Sequence, residues 1–391
     1  MNEPYGPIGI IAHTANEDFA RMVSDVLCEK RRKRVEEHSN PYVSNPGYLR
    51  SDYLMDSRLT RFQTGEGKFE LLESVRGHDI YIITDVLSHN IEYDINGERH
   101  IISPDDHYRD LLRIISCISG KAKRINVIMP FGYEGRREMK DSNRESWDCG
   151  EVLHQLYDLN VAHLIIFDPH DERIANAVPL MGIDFPKSAY KIIYTLLRTC
   201  DSIKIDKERT MVVSPDESGV KRAIFYSSML NLPLGIFYRQ RDYTTKVNGL
   251  HPIIDYKFLG ENVEGKDILI IDDMINSGST MLSTSEKLKA KGARDIYCLA
   301  PFGLFTDGLD VFDKAYEDGI IKAVFCTNLI YRSEELLKRE WYRDVNMIPY
   351  VAKIIDSLNL DESLFDLVHS TDKLSEFLGQ VRIGEVMEEF D

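Results

Sequence analysis

The sequence predicts an α/β fold of two similar domains, each a mostly parallel sheet flanked by helices. Short apolar runs of about five residues alternate with longer amphipathic stretches along most of the chain, the pattern of βαβ units. The alternation restarts near 183–187, where Gly182 and Pro186 sit, and runs on through the second half. The chain has 391 residues, 43% of them hydrophobic, enough for two cores. The expected units are 1–184, 185–345, and a C-terminal helix with an acidic tail over 346–391.

In chain order, Ile8–Ala12 reads as a buried strand, followed by a helix to about Cys28. Residues 29–60 carry mixed charge with Pro41, Asn45, Pro46 and Gly47, and read as irregular. A strand is expected at 79–84. Ser103-Pro104-Asp105-Asp106 starts a helix that runs to about Ser119, with Gly120 as its cap. Strand 126–130, helix 144–158 and strand 162–168 complete the first half. The second half reads as helix 187–198, strand 210–215, helix 218–230, strand 234–238, an irregular stretch 240–262 and strand 267–271. Helix 279–291, strands 295–300 and 322–327 and helix 346–358 follow. Residues 361–391 are acidic and loosely amphipathic.

The net charge of −16 disfavours a general binder of nucleic acid or anionic membranes, since both need clustered Lys and Arg. A phosphorylated small molecule needs only a local basic pocket. The six cysteines form no CxxC pair, which argues against a zinc cluster and for reduced thiols. The N-terminal stretch lacks the basic and apolar regions of a secretory leader, and no window approaches a membrane span. A cytoplasmic protein is expected.

The sharpest motif is Asp267-Ile-Leu-Ile-Ile-Asp-Asp-Met-Ile-Asn-Ser-Gly-Ser-Thr280. An apolar strand ends in the pair Asp272-Asp273, and the polar loop Asn276, Ser277, Gly278, Ser279, Thr280 enters a helix. Small residues let backbone N–H groups approach a phosphate, and the helix N-terminus adds partial positive charge. The two carboxylates suit a sugar diol or a Mg²⁺ held through water. Phosphate and diol together suggest ribose 5-phosphate. The simpler alternative is a strand-to-helix turn with an Asn/Ser cap. No Gly-Lys is followed by Ser or Thr, so there is no Walker A loop.

This loop resembles the phosphoribosyl pyrophosphate loop of type I phosphoribosyltransferases and of ribose-phosphate pyrophosphokinases. Four more segments are similar to the second family. Arg61-Phe-Gln-Thr-Gly-Glu66 with Ser74-Val-Arg-Gly77 resembles its adenine region. The resemblance implies that Phe62 stacks on the base and Glu66 lies beside it, across a subunit interface; Thr64 stands where the family usually has Asp. Ile128-Met-Pro-Phe-Gly-Tyr-Glu-Gly-Arg-Arg137 resembles the ATP-phosphate arginine loop, with Arg136 in register with that arginine and Arg137 beside it. Phe167-Asp-Pro-His170 resembles Asp-Leu-His, which implies contact of His170 with Mg²⁺ or ATP phosphate. Val212-Val-Ser-Pro-Asp-Glu-Ser-Gly219 resembles Ser-Pro-Asp-x-Gly-Gly, with Asp216 on the metal and ribose side. In Phe237-Tyr-Arg-Gln-Arg-Asp242, Arg239 stands for the lysine and Arg241 for the arginine of a loop that closes over the reacting phosphates.

The similarity runs from about residue 8 to 360. It implies two phosphoribosyltransferase-type I domains and a diphosphokinase that uses MgATP and ribose 5-phosphate. It also implies a homo-oligomer, a hexamer built from dimers, with a mobile loop over 240–250. Two alternatives stay open: a non-catalytic regulatory relative, and a phosphoribosyltransferase.

Overall fold

The computed structural model describes residues 3–37, 45, 47–140, 142–200, 202–241, 253–368 and 377–379. The first half contains β1 (Ile8–Ala12), α1 (Glu17–Glu37), the hairpin β2 (Ser57–Arg61) and β3 (Gly67–Leu71), β4 (Asp79–Ile83), and the hairpin β5 (Glu92–Ile95) and β6 (Glu98–Ile101). Then come α2 (Pro104–Ile118), β7 (Arg124–Ile128), α3 (Asp148–Asp158), β8 (His163–Ile165) and β9 (Gly182–Asp184). Strands β1-β4-β7-β8-β9 pair in that order, all parallel.

The second half contains α4 (Ala189–Thr199), β10 (Thr210–Ser214), α5 (Val220–Leu230), β11 (Leu234–Arg241), β12 (Ile253–Leu259), β13 (Asp267–Ile271), β14 (Met274–Ile275) and α6 (Ser279–Ala290). It continues with β15 (Ile296–Leu299), β16 (Phe302–Gly303), α7 (Asp310–Glu317), β17 (Ala323–Thr327), α8 (Glu334–Leu337), β18 (Tyr342–Val345) and α9 (Ile348–Asn359). Its sheet runs β12-β11-β10-β13-β15-β17-β18, parallel except at the β11–β12 edge.

Central strands such as Asp79–Ile83 and Asp267–Ile271 are buried along their whole length, which is why they read as continuous apolar runs. Their alternating faces feed different cores. Tyr81, Ile83, Leu269 and Ile271 enter one core shared by both sheets and joined by α1, α4 and α9 residues. Ile80 and Ile82 face a core with α2 and α3, while Ile268 and Ile270 face one with α6 and α7. Polar bonds tie the halves together as well. Asn359 Nδ2 donates to Asp79 Oδ2 at 2.9 Å, and Tyr331 N donates to the buried Asp85 Oδ2 at 2.7 Å. No helix among the described residues is long and apolar enough to cross a membrane.

The expected helix start at Ser103 is a capping box: Ser103 Oγ accepts from Asp106 N, and the Asp106 carboxylate accepts from Ser103 N. The expected irregular stretch 29–60 is corrected at both ends. Helix α1 continues to Glu37, and β2 begins at Ser57. The basic run hides a packed face: Arg31 is fully buried, bonded to Asp356 at 2.9 Å and lying 4.4 Å over the Tyr48 ring. The irregular stretch 240–262 likewise contains β12, an antiparallel edge strand. Helix 144–158 starts four residues later, at Asp148.

Candidate functional site

The carboxyl ends of β8, β10 and β13 converge between the two sheets, where ligands sit in open parallel sheets. Beyond β13, Asp273 N donates to Asp272 Oδ1 at 2.8 Å, so the acid pair leaves the strand as a tight turn. The short strand β14 then pairs with β16, Met274 opposite Phe302 and Ile275 opposite Gly303. Thr306 N donates to Asn276 O at 3.0 Å. Ser279 N donates to Ser277 Oγ at 3.3 Å, closing a turn on the first residue of α6. Gly278 has φ +85°, and a Cβ there would lie 2.2 Å from Phe312 Cζ. Only glycine fits, for both reasons. The loop therefore presents its backbone at a helix N-terminus with little freedom.

Burial, then the neighbouring Asp273, then Asp216, push the Asp272 carboxyl above its usual range. Three carboxylates of this kind repel one another unless a cation or a pair of hydroxyl donors enters. Asp216 is held by its own turn: Oδ1 accepts from Ser218 N at 2.9 Å, Ser218 Oγ at 2.6 Å and Gly219 N at 3.3 Å.

The first half supplies the opposite wall. His170 Nδ1 lies 2.8 Å from Glu138 Oε1, which leaves Nε2 as the remaining ring nitrogen of a residue that lines the cavity described below. Arg136 reaches across the halves, with Nε 3.5 Å from Asp273 Oδ2 and Nη1 3.3 Å from Met274 Sδ. Phe131 meets Phe302 edge-on at 5.5 Å beneath it. A cavity of about 430 Å³ lies between these walls, lined by His170, Gly219, Arg222, Asp272 and Asp273 among others. A smaller recess beside it is lined by Arg136, His170 and Asp273.

The structure thus brings together His170, Arg136, Asp216, Asp272 and Asp273, and the loop Asn276–Thr280 begins after the two residues of β14 that follow the acid pair. Phe62 and Glu66 do not line this cavity. They sit at the tip of the β2–β3 hairpin, where Phe62 N donates to Glu66 O at 2.8 Å, and Phe62 is 47% exposed. Thr64 Oγ1 donates to Glu66 Oε2 at 3.0 Å. Arg137 faces a separate cavity of about 480 Å³ with Glu138 and Asp148. Arg239 and Arg241 lie on β11, opposite Tyr256 and Ile253 of β12. From residue 242, the loop expected over 240–250 lies outside the described residues.

Two residues of the site escaped sequence reading. Glu138 partners His170 from 32 positions away. Arg222 contacts the turn before His170 from 54 positions away. The only sequence trace was a basic pair, Lys221-Arg222, just after Gly219.

Residues 8–158 match the family described as the N-terminal domain of ribose phosphate pyrophosphokinase, and residues 186–314 match the phosphoribosyl transferase domain. The ribose-phosphate pyrophosphokinase of Mycoplasmopsis pulmonis is 26% identical over 311 residues, 79% of this chain and 87% of that protein. Ribose-phosphate pyrophosphokinase A of Dictyostelium discoideum is 27% identical over 317 residues, 81% of this chain and 90% of that protein. The crystal structure of phosphoribosylpyrophosphate synthetase from Mycobacterium smegmatis superposes with a TM-score of 0.68 at 20% identity, covering 90% of this chain and 98% of that one, and so shares the two-sheet fold. With both of its halves matched in order and its acid pair lining one cavity with His170, the chain belongs to the ribose-phosphate pyrophosphokinase family.

Proposed function

We propose that this protein transfers the pyrophosphoryl group of MgATP to the C1 hydroxyl of ribose 5-phosphate, giving phosphoribosyl pyrophosphate and AMP. The observation that carries the proposal is the crowded pair Asp272–Asp273 at the mouth of a glycine-locked anion loop, facing His170 across one cavity. A sugar phosphate fits this order of groups: phosphate on the loop amides of Asn276–Thr280, hydroxyls on the two carboxylates. We assign ATP to residues 1–184 and the sugar to 185–345, with 346–391 as a helix and tail; β9, the last strand of the first sheet, ends at Asp184.

Little covalent chemistry is asked of the protein in such a transfer. Asp272 and Asp273 orient the sugar so that its C1 hydroxyl points at the β-phosphorus, which lowers the entropic part of the barrier. Arg136, Arg137, Arg239 and Arg241 balance charge that builds on the transferred group and on leaving AMP. Phe62 and Glu66 hold adenine. The exposure of Phe62 at a hairpin tip supports its use by a neighbouring subunit in a homo-oligomer, a hexamer by family resemblance.

Oxygen donors and one imidazole fit Mg²⁺. The described residues contain no group of three ligands arranged to hold a metal, which suits an ion carried largely by nucleotide phosphates and water. His170 and Asp216 would hold it, with relief of the Asp272 crowding as a further gain. Bound there, the ion neutralises phosphate charge and polarises the β-phosphorus. No disulfide joins the six cysteines among the described residues, which supports a cytoplasmic setting.

The test is AMP formation by purified protein with MgATP, with and without ribose 5-phosphate. AMP that appears only with the sugar phosphate, and falls sharply in Asp273→Ala, supports the proposal. Bound ATP with no AMP would overturn it in favour of a regulatory relative, the reading that Arg239 in the lysine position favours, and Arg239→Lys would then be tested for restored turnover.

A further inference from the structure

We propose that Arg222 is a positioning residue: it locks the turn carrying His170 to helix α5, and so fixes the spacing between the ATP-phosphate wall and the sugar wall of the cavity. This rests on the pyrophosphokinase reading of the site.

His170 and Asp216 follow strands of different sheets, β8 and β10. Sheet hydrogen bonds do not link those strands, so something else must hold the two residues at one distance. Arg222 stands in the first turn of α5, shortly after Asp216. Its Nη2 donates to the carbonyl oxygens of Asp168 at 3.1 Å and Pro169 at 3.5 Å, the two residues just before His170. Its Nη1 lies 3.6 Å from Asp168 Oδ1. Both side chains are largely buried, 15% and 9% exposed, where charge-assisted bonds are stronger than at the surface.

Asp168 itself has φ +43°, a left-handed conformation that a non-glycine residue adopts only when its surroundings hold it there. Its N–H donates to Pro186 O at 3.1 Å, and its Oδ2 accepts from Ser188 N at 2.9 Å and from Ser188 Oγ. The turn is therefore pinned on one side by the connector between the halves and on the other by Arg222. Lys221, the preceding residue, borders the same cavity but is 82% exposed and 3.9 Å from Asp171. It is a solvated pair of little energetic consequence, and serves as the control of equal charge.

The experiment compares full-length wild type with Arg222→Met, Arg222→Lys and Lys221→Met. Arg222→Met is expected to lower kcat on the order of 10–100-fold, the cost of a displacement near 1 Å. KM for ribose 5-phosphate stays near wild type and the melting temperature falls by only a few degrees, because Asp168 keeps its bonds to Ser188, while the Mg²⁺ concentration needed for half-activation rises. Arg222→Lys recovers part of kcat, since an ammonium still donates to the same carbonyls. A loss confined to KM for ribose 5-phosphate would overturn the proposal, because Arg222 would then hold the sugar phosphate itself. So would an equal loss in Lys221→Met, or a melting temperature that falls in step with activity. If wild type forms no AMP, the function reading fails separately, and calorimetry still decides on Arg222. Mg²⁺-dependent ATP binding weakens in Arg222→Met with ribose 5-phosphate binding unchanged, or the positioning role is wrong.

Discussion

Gly278→Ala tests the anion loop at its tightest point. The added Cβ would meet Phe312 Cζ at 2.2 Å and Cε2 at 2.3 Å. The ring cannot retreat: Phe312 is fully buried, stacked on Trp341 at 5.2 Å and edge-on to Phe305 at 5.0 Å. Trp341 is fixed in turn by a bond from Nε1 to Asp313 Oδ1 at 2.6 Å. Overpacking of this kind costs about 1–3 kcal/mol, and the left-handed φ of +85° adds about 1–2 kcal/mol for a residue with a Cβ. A total near 3 kcal/mol lowers the melting temperature of a chain this long by about 4 °C. Should the loop move instead of the ring, its N–H groups swing off the phosphate, and ribose 5-phosphate affinity falls while stability holds. Scanning calorimetry with a ribose 5-phosphate titration separates these outcomes, and Phe312→Leu in the same chain should recover part of either loss. Gly308→Ala is the control, since Gly308 has φ +87° with nothing within 4 Å of a new Cβ. It should show the backbone cost alone and normal binding. A Gly278→Ala protein that melts within a degree of wild type and binds ribose 5-phosphate equally well would refute the reasoning.

Other perturbations separate stability from function. Asp272 has a folded pKa raised by burial and by Asp273 above its ordinary 3.8, so the folded state binds more protons and stability falls as pH rises from about 4. Asp272→Asn should therefore melt higher than wild type at pH 7, by on the order of 1 kcal/mol, converge with it below pH 4, and lose ribose 5-phosphate binding; a variant less stable than wild type at pH 7 contradicts the crowding. Arg31→Met removes the buried partner of the fully buried Asp356, leaving it the more exposed Arg34 at 2.8 Å. It should cost about 3 kcal/mol in thermal unfolding, and a change below 1 kcal/mol would show the pair to be dispensable. Phe62→Ala should leave the melting temperature unchanged because the ring is half exposed, yet weaken ATP binding about tenfold through lost stacking; equal ATP affinity would remove Phe62 from the adenine site.

The parts legible in sequence are those in which local physics and burial agree. β4 and β13 read as strands because both faces are covered and nothing polar interrupts them. The start of α2 was legible because its cap is built from adjacent residues. The loop after β13 was legible because anion binding needs small residues at a helix start. The hairpin β2–β3 was not, since Ser57–Arg61 and Gly67–Leu71 are only half buried and are anchored to α2 by charge, Arg61 on Asp110 and on Asp106. Hairpin β5–β6 has no fully buried residue at all, and so no periodic apolar signal. Helix α1 was cut short because Arg31 looks like a solvated charge until Asp356 and Asn359 meet it from the far end of the chain. Of the site, individual positions were readable, but Glu138–His170 forms only once β7 and β8 are neighbours in the first sheet, and Arg136–Asp273 and Arg222–Asp168 only after the two sheets come together.

On the proposed function, those pairings account for how a chain with net charge −16 would take two polyanions at one place. The cations around the cavity are not a surplus of charge. Arg136 is matched by Asp273, Arg173 and Lys221 by Asp171, Arg222 by Asp168, and Lys187 by Glu172. A pocket of unpaired arginines would attract any phosphate and would repel itself when empty. Here neutral amides at the α6 N-terminus are held ready by Gly278, at no cost in net charge. Arg136 is half exposed and 3.5 Å from its partner, a contact weak enough to be given up. On the proposed function, Arg136 turns to a nucleotide phosphate and leaves Asp273 to the sugar hydroxyls or to a cation that arrives with the nucleotide. On that proposal the same residues serve the empty and the filled site, and selectivity would come from requiring both exchanges together: a phosphate with no diol leaves the carboxylates crowded, and a diol with no phosphate leaves the loop amides to water.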